Sequence, residues 1–123
     1  MKLLLAIVCV GAALAATAPV GFAQGGQVPA TPESVAAGQQ LYLKNCASCH
    51  GRTGQGGPGN DLIPAAPSLV DDMWDHGSTD GEIFENIKNG IGPDFNMVPW
   101  KDQLKDQDIW NVVIYVRSIA KKK

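Results

Sequence analysis

Charge is sparse in this sequence of 123 residues: Asp, Glu, Lys and Arg make up 18% of it and the formal net charge is −2. It has neither the basic excess of a nucleic-acid binder nor the charge density of a disordered chain, so no nucleic-acid partner is expected. Histidine is scarcer still, with two residues, and cysteine contributes three. No stretch alternates apolar and polar residues as a strand does, and no segment repeats, which leaves an all-α chain. Its length fits one domain, since domains run to about 100–200 residues. Eight prolines and fourteen glycines imply long connections that so small a core holds poorly, so something besides side chains is expected to fill the interior.

Long apolar runs are also missing. The longest, Leu3 to Ala16, follows Lys2 and is too short for a membrane span of roughly 20 residues. With the small residues Gly21 and Ala23 behind it, it reads as a secretory signal over residues 1–23, removed before Gln24. Ala16-Thr17-Ala18 is the competing cleavage site. Cys9 lies inside the signal and is discarded with it. Processing is expected to leave no membrane span and an exported protein.

Residues 24–30 hold two glycines and a proline without periodicity and are expected to form a flexible leader; the domain proper runs over 31–123. Thr31, Pro32 and Glu33 supply a cap, a first-turn proline and an acidic first turn, and Val35, Gly38, Leu41, Tyr42 and Cys46 recur at helical spacing behind them. Gly51 to Pro67, with five glycines and three prolines, is a long loop that needs internal support. Thr79 and Glu82 form a capping box for a second main helix over about 80–89, stopped by Gly90. Asp106 and Asp108 open a third, with Ile109, Val112, Val113, Val116 and Ala120 on one stripe. Charge is uneven: residues 61–94 carry eight acids against Lys88 alone, and residues 95–123 carry six bases against three acids. That asymmetry is either a solvated face or a steering surface.

The strongest chemical signal is Cys46-Ala47-Ser48-Cys49-His50. Cysteines three apart on a helical turn point both sulfurs to one side, where they can form thioethers with two vinyl groups on one porphyrin edge while the next histidine reaches the iron. A zinc site competes, but His76 is the only spare histidine and Cys9 does not survive processing. A thioredoxin-like pair would need a preceding strand, and a plain disulfide remains open in an exported chain. The spacing, the histidine and the export signal together favour one covalent haem c. For the sixth ligand Met97 stands first, in Asn96-Met97-Val98-Pro99-Trp100 between two helices. His76, beside Asp75 and Gly77, and an open site are the alternatives, while Met73 next to Trp74 reads as packing.

On these residues the chain resembles the small single-haem class I cytochromes c of bacterial periplasms, over about Val35 to Ile119. The resemblance rests on Gly38 with Tyr42, Cys46 to Gly51, Pro67-Ser68-Leu69, Gly77 to Gly90, Met97, and Val112 with Tyr115. It implies a cytochrome c fold of three to five helices around the haem, with Gly38 and Tyr42 crossing the last helix at Val112 and Tyr115. It also implies that the Pro67 carbonyl accepts a hydrogen bond from His50 and that Leu69 packs on the haem. The chain departs from the family where Val98 separates Met97 from Pro99, and where Lys105 precedes Asp106 at a position usually held by serine or threonine; Asp106 is expected to cap that helix instead.

With His50 and Met97 both on the iron, the expected function is one-electron transfer without catalysis. Electrons would arrive from a periplasmic dehydrogenase or membrane complex and leave to an oxidase. The rival expectation is a dedicated partner or subunit of one oxidoreductase, such as a quinoprotein dehydrogenase. A gas-binding or peroxidase-like protein is a third class, which requires a weak or absent Met97 bond.

Overall fold

The computed structural model describes residues 26–57 and 64–121. The expected signal, Cys9 and part of the glycine-rich loop lie outside the described residues. Four helices follow in order: α1 (Pro32–Asn45), α2 (Ala47–His50), α3 (Asp80–Asn89) and α4 (Asp106–Ile119). The all-α expectation is met, and among the described residues the only strand-like pairing is a single antiparallel bridge between Ile91 and Met97.

Each long helix begins where its side chains can satisfy the first free N–H groups. The Thr31 hydroxyl accepts from the Ser34 backbone N–H at 3.2 Å and Ser34 Oγ accepts from Thr31 N–H at 2.9 Å, closing a box around Pro32 and Glu33. Thr79 and Glu82 form the expected box on α3, and the Glu82 carboxyl, held by the Thr79 N–H, sits below its usual range. On α4 the cap is Lys105 rather than Asp106, which becomes the first helical residue. A lysine offers no acceptor, so Asp108 closes the turn by accepting from the Lys105 backbone N–H at 3.2 Å.

α1 and α4 cross at Gly38, where a Cβ would meet the Asn111 carbonyl oxygen at 1.9 Å and Tyr115 Cβ at 2.9 Å. Only a residue without a side chain admits this approach. Tyr42 and Tyr115 lie beside the crossing with ring centroids 5.2 Å apart. α3 packs on the other flank of α4 through Phe84 stacked on Trp110 at 4.4 Å. Sandwiched in this way, α4 buries Trp110, Ile114 and Tyr115 as well as most of the expected stripe, while Ala120 falls just past the helix end.

The leader expected over residues 24–30 is held at its far end. Val28 is 8% exposed and belongs to the core, and Gln27 Nε2 donates to Asp80 Oδ2 at 2.7 Å. One apolar residue amid glycine and proline carries no period, which is why the sequence does not signal it.

Candidate functional site

α1 delivers the cysteine motif directly. Cys46 is the C-cap of α1 and its N–H donates to the Tyr42 carbonyl at 2.8 Å, so the following turn starts from a fixed point. α2 is one turn, closed by bonds from the His50 N–H to the Cys46 carbonyl and from the Gly51 N–H to the Ala47 carbonyl, both at 2.9 Å. Gly51, at φ +78°, then turns the chain away, and the buried Tyr42 hydroxyl donates to its carbonyl at 2.7 Å. The motif is thereby bonded to α1 at both ends.

The loop that follows is supported by its own backbone. Gly56 N–H donates to the His50 carbonyl at 2.9 Å, Gly57 N–H to the Ala66 carbonyl at 2.9 Å, and Leu69 N–H to the Gly54 carbonyl at 2.7 Å. At Gly56, with φ +88°, a Cβ would lie 2.7 Å from the Ala66 oxygen, so the loop closes only with glycine there. This closure brings the Pro67 carbonyl to 3.4 Å from His50 Nδ1.

The two cysteine thiols, His50, Pro67, Leu69 and Met97 all line one cavity of 320 Å³, at the small end of the roughly 300–1,000 Å³ of ordinary cofactor pockets. Cys46 and Cys49 are unbridged. Burial, with Cys49 close by, pushes the Cys46 thiol up to about 12. Burial also draws the His50 imidazole down, against the opposite pull of the Pro67 carbonyl. A neutral ring with Nδ1 tied to a carbonyl presents Nε2 as a free lone pair, the form that ligates a metal. Among the described residues no group of three or more His, Cys, Asp or Glu is arranged to hold a metal ion by itself. An apolar cavity with two thiols and one imidazole on a single wall suits a porphyrin bound through its edge and its iron.

All three sixth-ligand candidates line this cavity, in different states. Met97 is half-buried against the core, and its carbonyl accepts from Ile91 N–H at 2.9 Å. Gly90 allows that bridge, since a Cβ on it would come within 2.6 Å of the Met97 oxygen. Met73, next to Trp74, lines the cavity and is 71% exposed. His76 is exposed, and its carbonyl accepts from Asn86 Nδ2 at 2.8 Å.

Sequence reasoning missed the walls. Trp74 and Trp100 both line the cavity; Arg117 lies 5.6 Å over the Trp74 ring, and Trp100 N–H donates to the Ile87 carbonyl at 3.1 Å. Three tryptophans in a chain with so little aromatic content were the available signal.

The family described as cytochrome c oxidase, cbb3-type, subunit III matches residues 33–116. A relative named cbb3-type cytochrome c oxidase subunit CcoP, from Rubrivivax gelatinosus, is 36% identical over 91 residues, covering 72% of this chain and 27% of its own length. The chain thus spans about a quarter of the relatives it matches. Among solved structures it is similar to cytochrome cL of Methylophaga aminisulfidivorans, with a TM-score of 0.61 and 27% identity over 72% of this chain and 55% of that one. Cytochrome c6 of the diatom Phaeodactylum tricornutum gives 0.53 and 30% identity over 68% of this chain and 91% of that one. Fold, cavity, attachment turn and relatives agree: the chain belongs to the cbb3-type subunit III family of electron-transferring c-type cytochromes, and its cofactor is covalent haem c, for which Cys46 and Cys49 fit the CxxCH motif.

Proposed function

We propose that this protein is a periplasmic one-electron carrier, exported by residues 1–23, in which His50 and Met97 are the axial ligands of the haem iron and Cys46 and Cys49 its covalent anchors. Haem c supplies reversible one-electron exchange between ferric and ferrous iron. The chain's part is to fix and shield. His50 Nδ1–H donates a hydrogen bond to the Pro67 carbonyl, which sets the ring's tautomer and orientation. Met97 is carried to the same cavity on a loop pinned at Ile91. Leu69, Ile83, Ile87, Val112 and Val116 line the cavity with hydrocarbon, and exclusion of water with thioether ligation favours the reduced form. His50 and Met97 would both hold the haem iron, which would leave it no open position for a substrate.

The observation that carries this reading is the shared cavity of His50 and Met97, with Met97 half-buried against the core and its backbone paired with Ile91. Met97→Ala should lower the reduction potential and let carbon monoxide bind the ferrous protein, whereas Met73→Ala and His76→Ala should do neither. Carbon monoxide binding to the unmodified protein would contradict it, and N-terminal sequencing of periplasmic material should begin at Gln24.

A second reading has specific support: the relatives are named as subunits of an oxidase and are several times longer than the part matched. In that reading the domain serves one redox complex, a dehydrogenase or an oxidase, rather than a pool of partners. Co-purification with a single oxidoreductase would favour it.

A further inference from the structure

Five consecutive residues, Met73 to Gly77, line the cavity, and the segment that carries them, residues 70–79, forms neither helix nor strand. A wall of irregular backbone has no ladder of its own to hold it, so its place depends on what it is tied to. Both of its ends are tied to the C-terminal end of α4. The Lys121 N–H, just past the helix, donates to the Val70 carbonyl at 3.2 Å. At the other end Arg117, in the last turn of α4, donates through Nε to Asp80 Oδ1 at 2.5 Å and through Nη2 to the Ser78 carbonyl. The anchor that Arg117 grips is itself fixed. Gln27 Nε2 donates to the other Asp80 oxygen at 2.7 Å, and the Ser78 and Thr79 N–H groups both donate to Glu82 Oε2 at 2.9 Å.

Arg117 also reaches the wall between those ends. Its guanidinium lies 5.6 Å from the centre of the Trp74 ring, within cation–π reach, and Trp74 is packed against the core. One planar group thus meets a carboxylate, a backbone carbonyl and a ring face at once. The compact ammonium of a lysine has no fork to do the same. Arg117 does not line the cavity, and its side chain is 34% exposed. An ion pair that open to water contributes little to stability by itself. What distinguishes this one is where its contacts fall, on the cavity wall and on the residue where that wall enters α3.

We infer that Arg117 is a positioning residue for the haem site: it clamps Trp74 and the 73–77 wall over the cavity and so keeps water from the cofactor. This rests on the electron-transfer reading above and adds to it the group that sets how dry the site is. A wall that loosens admits water, water favours the more highly charged ferric state, and the reduction potential falls. The charge of Arg117 is balanced by Asp80, so the effect runs through geometry rather than through a bare cation.

The test compares the holoprotein with its Arg117→Gln, Arg117→Lys and Trp74→Leu variants, by amide hydrogen exchange over residues 71–79 and by redox titration. Arg117→Gln should speed exchange across 71–79 about 10-fold while the α1–α4 crossing stays protected. It should also shift the electron-exchange equilibrium with a fixed reference couple about 10-fold toward the ferric form, which is about 59 mV. Arg117→Lys should reproduce most of both changes, since lysine keeps the charge and loses the fork. Arg117→Gln combined with Trp74→Leu should lower the potential by less than the sum of the two single changes, because both act on the same wall. Full recovery of the potential by Arg117→Lys would overturn the proposal in favour of charge alone, and additive losses would overturn it as well. So would exchange at 71–79 that is unchanged, or that rises equally along all of α4, the mark of a merely structural ion pair. The near-infrared methionine-to-iron band separates the clamp from the ligand assignment. A band missing from the unmodified protein counts against Met97 ligation, and the exchange rates then judge the clamp by themselves. An intact band with unchanged exchange and potential counts against the clamp alone.

Discussion

At the scale of single residues, the site holds the His50 imidazole neutral and oriented. The His50 imidazole is drawn below its reference value of 6.5 by burial, and its Nδ1 faces the Pro67 carbonyl. Because the folded pKa is depressed, the unfolded chain binds more protons once the pH falls below about 6.5. Stability is therefore expected to be full above that value and to fall as the pH drops from 6.5 through the folded pKa. Iron ligation acts with the same sign, since proton and iron compete for Nε2. Guanidinium midpoints of the holoprotein between pH 7.5 and 5 should show it, and a midpoint that stays constant or rises on acidification would contradict the assignment. Glu33 and Glu82, both held below 4.5 by backbone N–H groups, act in a separate, more acidic window. Cys46, Cys49 and His50 were legible from sequence because covalent attachment demands a fixed spacing. The Pro67 carbonyl came from family resemblance alone, since a backbone acceptor seventeen residues away leaves no mark on side-chain pattern.

At the scale of elements, caps were legible and burial was not. Thr31 with Pro32, and Thr79 with Glu82, announce helix starts through local bonds that depend on three or four neighbouring residues. α4 shows the limit: its stripe fixes one face, but α1 and α3 cover two more, and nothing local to the helix reports on both neighbours. The Ile91–Met97 bridge is a single pair and has no period to detect. The α1–α4 crossing is the element contact that fixes Tyr42 and hence the attachment turn. Gly38→Ala places a methyl group 1.9 Å from a backbone oxygen that no rotamer change relieves. Its expected cost is about 3 kcal/mol, the upper part of the overpacking range. Denaturation of the holoprotein measures it, and a loss below about 1 kcal/mol would show that the helices separate without strain.

At the scale of the whole molecule, a haem in the cavity would complete the core. Tyr42, Ile109, Val112 and Val113 are the largest fully buried side chains, and the cavity opens beside them, lined by Tyr42 and Val112. Cofactor binding then appears as folding free energy. Joint replacement Cys46→Ala, Cys49→Ala should abolish covalent haem and most of the folded protein, read as peptide mass and helical circular dichroism; full helicity without cofactor would contradict this dependence. The described helices include none long and apolar enough to cross a membrane. The most direct measurement of the central claim is the near-infrared spectrum of the ferric holoprotein. A weak methionine-to-iron band is expected in the unmodified protein and in Met73→Ala and His76→Ala, and should vanish in Met97→Ala; a band that survives Met97→Ala, or is missing from the start, would contradict axial ligation by His50 and Met97.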